Sequence, residues 1–483
     1  MTLRRGPVVV AALIAMGAAP ALARAQRLPP AAPYDFNGDG RQDVTLGLPN
    51  ADGRAGAIAV FEGGPGGPAR RAAVITATSA GMPSSAMLAG TSLASADFDR
   101  DGRADLAVGA LGGVTVIPGS DRGLRPEDAT VVAPVGTTPD GTSEFGRSLV
   151  TGDVDGDDSA DLVVGAPTAF PVDPLGAELG SGALYLLFGD ETGLTSQPVN
   201  LGRPTPTTVF FPGILALGDV DGDRQADVLE VLGGGVTNHD GEGTAGRGFT
   251  CIGAPALQCR LLTGAESPYF GGPPGPSTVA VGDLDGDGRA DVVHGEPFTS
   301  HIIDQGPPPR GRLVLWRGTQ GGFPTRSGVV RQGRAGVPGT DEPGDEFGAA
   351  VAVARLDGDR RADVVVGAPG EDRASGRVTV LYSGAGGRPA RERRFDVDTA
   401  GVPGRARPGS RFGAAVTALD ADGDRRVDLA VRSSGAGGDP RALTVLFGAR
   451  DGIRADRAQS IRLGRSASRR LRPSDWRGYV LGR

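Results

Sequence analysis

Residues 283–291, DLDGDGRAD, set carboxylates at the first, third, fifth and ninth positions of a nine-residue phrase. Like charges so close repel unless something neutralises them, and hard divalent cations take oxygen ligands at this alternate spacing, with a backbone carbonyl at position 7. Calcium suits such a loop: it accepts roughly six to eight oxygens in a tolerant geometry, whereas magnesium demands a near-octahedral shell and keeps its waters. The phrase recurs seven times, at starts 62, 56, 66, 64, 72 and 65 residues apart. The candidate ligands are Asp35, Asn37, Asp39 and Asp43; Asp97, Asp99, Asp101 and Asp105; Asp153, Asp155, Asp157 and Asp161; Asp219, Asp221, Asp223 and Asp227; Asp283, Asp285, Asp287 and Asp291; Asp357, Asp359 and Asp363; and Asp420, Asp422, Asp424 and Asp428. They supply 26 of the chain's 57 acidic residues, so the formal charge of −7 describes the metal-free chain and says little about partners. Up to seven Ca2+ sites are expected. The sixth is the poorest, because Arg355 stands where its first ligand should be.

Position 6 is glycine in loops one, two and five (Gly40, Gly102, Gly288) and Asp158 in loop three, residues that tolerate a left-handed backbone. Arg224, Arg360 and Arg425 occupy it elsewhere, at a steric cost and with an unwelcome positive charge. An EF-hand would add a Glu at position 12 and flanking helices. Here position 12 is apolar in five of the seven loops, with Glu230 and His294 in the fourth and fifth, and in place of a flanking helix the residues that follow read as a strand.

The elements that hold these loops are β-branched runs bounded by glycine and proline. After each loop comes a run such as LVVG to Gly165 or VVVG to Gly367, later a second such as LYLLFG to Gly189 or LTVLFG to Gly448, then a poorer one such as SIRL at Ser460. In the fourth repeat the second run is weak and is read as RLLTG, to Gly264. A further run, such as FGRSLVTG from Phe145, leads into the next loop. Four strands in each of seven repeats predict an all-β fold, a seven-bladed β-propeller of four-stranded antiparallel blades, because an open sheet of that size is unstable and radial repetition protects the edges. The run 478–482 is expected to supply the strand that RLPPAAPY, at the N-terminal side of loop one, cannot.

The sequences EFGRSLVTGDVDGDDSADLVVGAPT from Glu144 and EFGAAVAVARLDGDRRADVVVGAPG from Glu346 resemble FG-GAP repeats, the units of the integrin alpha-chain propeller and of many secreted bacterial proteins. The resemblance implies that each acidic loop joins the first and second strands of a blade, with the position-9 Asp closing the cation cage. The seventh repeat keeps Phe412-Gly413 without Gly-Ala-Pro, and the second, fourth and fifth keep little beyond the loop.

Residues 1–25 read as a secretory signal peptide: Arg4 and Arg5, an apolar run from Val8 to Ala19, then small-residue cleavage triplets. The mature propeller, 26–483, is then secreted, with no membrane span left after processing. In that oxidising setting Cys251 and Cys259 either pair across a short hairpin or remain two buried thiols. Long segments at 166–182, 233–258 and 296–311, carrying Phe170, Phe249 and Phe298, are a binding surface or tolerated insertions. His294 replaces an apolar strand residue and is expected to be buried and satisfied; His239 and His301 lie in the long segments. With three histidines, no nucleophile elbow and no phosphate loop, catalysis has little to stand on. The leading function is a monomeric binding or adhesion module for an extracellular protein or glycan, with no nucleic-acid partner; the alternative is a lyase-like polysaccharide-acting enzyme on the same scaffold.

Overall fold

A computed structural model of the chain describes residues 30–81, 87–132, 144–166, 183–202, 213–232, 247–252, 258–261, 278–297, 310–334, 336–434, 442–463 and 480–481. The N-terminal segment 1–25, most of the long segments, and His239 and His301 lie outside these residues.

Runs such as Asp161–Ala166 and Asp363–Ala368 are buried at every position, as strands must be when neighbours cover both faces. Among the described residues these strands form seven four-stranded antiparallel sheets and one short ribbon. In spatial order, sheet two is Met87–Ala96, Asp105–Leu111, Gly113–Ile117 and Thr130–Val132; sheet three is Ser148–Gly152, Asp161–Ala166, Ala183–Leu187 and Val199–Gly202. Sheet four is Gly213–Gly218, Asp227–Leu232, Arg247–Ile252 and Gln258–Leu261; sheet five is Thr278–Gly282, Asp291–Glu296, Arg312–Thr319 and Gly322–Val330. Sheet six is Ala350–Ala354, Asp363–Ala368, Arg377–Ser383 and Pro389–Phe395; sheet seven is Phe412–Leu419, Asp428–Ser433, Ala442–Phe447 and Arg454–Arg462. Sheet one takes its first strand, Val480–Leu481, from the far end of the chain and continues with Val44–Leu48, Ala57–Phe61 and Ala73–Thr76. Leu46 faces Leu481 and Gly47 faces Val480, as expected for the 478–482 run.

The apolar core lies between sheets. Leu46 and Phe61 of sheet one pack on Leu443 and Val445 of sheet seven, while Leu162 and Leu187 of sheet three pack on Ala107 and Val114 of sheet two. Each apolar cluster is shared by two neighbouring sheets. The first strands contact one another in turn around an axis, which makes the molecule an all-β β-propeller of antiparallel sheets. The axial channel, about 250 Å³, is lined by residues such as Val150, Ala216, Val281, Val353 and Thr417, and among the described residues it presents no titratable side chain.

The Phe-Gly pairs meet second-strand glycines at the seams. Phe145, Phe347 and Phe412 are fully buried, and the glycine after each has φ of +95°, +96° and +85°. That glycine backs onto the glycine of the preceding sheet's second strand: a Cβ on Gly109, Gly295 or Gly367 would lie 2.0–2.2 Å from the carbonyl oxygen of Gly146, Gly348 or Gly413. Sheet two lacks Phe-Gly in sequence, yet Leu88-Ala89-Gly90 takes the same path, with Leu88 at φ 61°, Gly90 at φ +87° and Gly47 against it.

One strand assignment is corrected. The third strand of sheet four is Arg247–Ile252, and Gln258–Leu261, read from the sequence as part of the third, is the fourth. The β-branched and aromatic residues of 247–252 outweigh the flanking glycines that disguised them. Cys251 and Cys259 stand directly opposite in this hairpin register.

Candidate metal centres

Loops two to seven each join the first and second strands of a sheet, and loop one leads into the second strand of sheet one. Antiparallel alternation therefore puts all seven at one end of the propeller and the second-to-third-strand loops at the other.

Each position has a distinct task. The position-1 carboxylate accepts backbone N–H groups from positions 5 and 6, as when Asp97 takes those of Asp101 and Gly102, both at 3.0 Å. In six loops this bends position 6 into the left-handed region, at φ 81°, 85°, 66°, 73°, 89° and 65° for Gly40, Gly102, Asp158, Arg224, Gly288 and Arg425. Loop six is the exception: Arg355 has no oxygen to accept the bond, and Arg360 is not left-handed. The cost expected at Arg360 is thus avoided, and with it the loop geometry. Position 4 is left-handed in all seven loops, including Gly358 at 78° and Arg100 at 56°. The sequence reading, centred on position 6, missed this.

The position-5 carboxylate is partly neutralised within its own loop. Arg41 pairs with Asp39 at 3.0 Å, Arg103 with Asp101 at 3.2 Å and Arg426 with Asp424 at 2.6 Å; Arg289 with Asp287 and Arg361 with Asp359 do the same.

Position 9 is a staple. Asp105 accepts the N–H of Phe98 at position 2 and of Gly119 at the end of the third strand, at 3.1 and 2.9 Å. Asp43, Asp161, Asp291, Asp363 and Asp428 repeat the arrangement, with Ser383 replacing the glycine in sheet six. Burial raises these carboxyls, against the pull of the amides, to about 7 for Asp43, Asp105, Asp227 and Asp428 and about 6 for Asp161, Asp291 and Asp363. Asp99, Asp155 and Asp221 at position 3 are also raised, first by burial and then by neighbouring carboxylates.

The donor chemistry fits a divalent cation. Carboxylate oxygens of positions 1, 3 and 9 lie within 4.8 Å of one another in loops three (Asp153, Asp155, Asp161), four (Asp219, Asp221, Asp227), five (Asp283, Asp285, Asp291) and seven (Asp420, Asp422, Asp428); in loop two the set is Asp97, Asp99 and Asp101. Each oxygen engaged by a single amide keeps a second lone pair for a metal. No such cluster forms in loop one, where Asn37 is neutral, or in loop six.

Neighbouring loops are also hydrogen-bonded. The carbonyl of position 1 accepts the N–H of position 8 in the following loop: Asp35 from Ala104, Asp153 from Ala226, Asp219 from Ala290, Asp283 from Ala362, and Asp420 from Gln42, at 2.7–2.9 Å. The last of these joins loop seven to loop one.

His294 is buried, but not satisfied as expected. Among the described residues neither ring nitrogen has a hydrogen-bond partner, and burial, then Arg312, lowers its pKa to about 4. Its Nδ1 lies 3.5 Å from Glu296, whose other oxygen is taken by Arg312.

Models of the FG-GAP-like repeat match residues 35–108 and of the FG-GAP repeat match 145–187, 275–316 and 347–381. Integrin alpha-PS2 of Drosophila melanogaster is 26% identical over 257 residues, covering 52% of this chain and 17% of its own. Phosphatidylinositol-glycan-specific phospholipase D of Rattus norvegicus is 32% identical over 151 residues, covering 28% of this chain and 17% of its own. The solved structure of rhamnogalacturonan lyase YesW aligns over 72% of this chain and 58% of that chain, at 14% identity and a TM-score of 0.35. The fold and the repeated acidic hairpins define a propeller with candidate cation loops. The chain carries FG-GAP repeats on a β-propeller and is similar to integrin alpha chains. It spans about a fifth of the length of the curated relatives it matches.

Proposed function

We propose that this chain is a secreted, calcium-stabilised binding or adhesion module whose seven sheets are the seven blades of one closed ring. Residues 1–25 act as the signal peptide and 26–483 form the monomeric propeller, which takes an extracellular protein or glycan as its partner. The observation that carries the reading is the gathering of position 1, 3 and 9 or 1, 3 and 5 carboxylates within 4.8 Å in five loops at one end. Cations there stiffen one end of the ring, leaving the loops of the opposite end to vary on a rigid frame. The matched relatives carry similar repeats inside much longer chains of different kinds, an integrin alpha subunit and a phospholipase, so the shared part supplies a scaffold and not an activity.

A glycan and surface-protein binding screen of the purified chain, run with calcium and with chelator, tests this. Saturable, calcium-dependent binding without turnover is the expected outcome. Depolymerisation of an acidic polysaccharide by the same preparation would replace the module with an enzyme.

A further inference from the structure

Position 3 divides the ring. In loops five, six and seven its aspartate receives an arginine from a later strand of the same sheet. Arg317 Nη1 lies 3.0 Å from Asp285 and 2.6 Å from Asp291, while its Nη2 donates to the carbonyl of Gly386 in the next sheet. Arg391 Nη2 lies 2.9 Å from Asp357; its guanidinium stacks 3.6 Å above the Tyr382 ring, and Nη1 donates to the carbonyl of Asp451 in sheet seven. Arg457 Nη2 lies 3.0 Å from Asp422, over Phe447. Among the described residues no salt bridge reaches Asp99, Asp155 or Asp221 of loops two to four.

The aspartates are withdrawn from solvent even where Arg391 and Arg457 are 42% and 54% exposed. Asp422 and Asp291 side chains are only 4% and 2% exposed, and each arginine is further held by a stacked ring or a carbonyl of the adjoining sheet. In loop five the guanidinium and the Leu284 amide occupy both lone pairs of Asp291 Oδ2, an oxygen a metal would need. In loop six Arg391 adds to a loop that has already lost its first ligand to Arg355.

We propose that in loops five to seven a built-in guanidinium stands in for the divalent cation, so that the chain takes up calcium in loops two to four alone. The inference rests on the cation reading of the acidic loops, but divides them in a way that reading does not. Two kinds of neutralisation then serve one ring: exchangeable ions in one arc, and covalently tethered charges in the other.

The test is calcium stoichiometry of the full chain by native mass spectrometry and elemental analysis after transfer to calcium-free buffer. The unaltered chain should retain no more than three ions. Arg317→Gln and Arg457→Gln should each gain one, with affinity at the freed loop rising at least about tenfold, as removal of one like charge at contact distance allows. Arg391→Gln should gain none until Arg355→Asp is added. Should Arg317→Gln fold poorly, Arg317→Lys, which keeps the charge, should fold and hold the unaltered number. Four or more ions on the unaltered chain, or glutamine variants of unchanged stoichiometry, overturn the proposal and leave the cation reading standing. No retained ion at all overturns that reading itself.

Discussion

Loops two to four and loops five to seven are built from nearly the same nine residues, yet they meet their charge in different ways. Asp99, Asp155 and Asp221 lie among carboxylates and are held above the ordinary range, whereas Asp285, Asp357 and Asp422 face an arginine. What differs lies outside the phrase, on the third and fourth strands about thirty-five residues downstream. A loop motif therefore states a need for positive charge, and its surroundings decide whether an ion or a side chain meets it.

The largest effect should come from withdrawing divalent ions. Each site held at a hundredfold excess over its Kd contributes about 2.7 kcal/mol, so chelation should lower the melting temperature markedly. Hydrogen exchange should then rise in loops two to four while loops five to seven stay protected; uniform exposure would erase the contrast.

Next in size is the position-9 staple, which both arcs share. Asp105→Ala and Asp363→Ala each strand two buried amides, at about 1–3 kcal/mol apiece. Denaturant melts should show similar losses for the two; a much larger loss at Asp105 would mean that position 9 acts mainly through metal.

The pH dependence of the metal-free protein follows from the same carboxyls. Folding raises them above 3.8, so their stabilising contribution is complete below about pH 4 and is lost as pH climbs through about 6 to 7. Melting temperature in chelator should fall across pH 5–8. Added calcium, which favours the charged form, should flatten that slope. Smallest of all, Arg391→Ala should cost about 1 kcal/mol through its lost ion pair and ring contact, with or without chelator.

Much of this was legible in the sequence because a repeated phrase announces both its own geometry and its period. The propeller and the closing strand at 480–481 followed from β-branched runs and their count, and the place of the loops between first and second strands from the resemblance to FG-GAP repeats. The arginine partners were not legible: Arg317 sits on a third strand and Arg391 and Arg457 on fourth strands, and only folding brings each to its loop. The staple left a clue that went unread. Asp stands at position 9 in all seven loops, including the sixth, which has lost position 1. The fourth sheet was misread because Cys251 and Ile252 follow a glycine-rich stretch that looks like loop.

The carbonyl-to-amide bonds between neighbouring acidic loops do not run unbroken around the ring. Among the described residues they link loops seven, one and two, and separately three through six, leaving gaps after the second and the sixth. Those two gaps are where the chain could be cut and rejoined at its natural ends with least damage. A circular permutant opened between the second and third repeats would keep every one of these links, whereas one opened between the fourth and fifth would place its new ends beside a surviving bond and strain it.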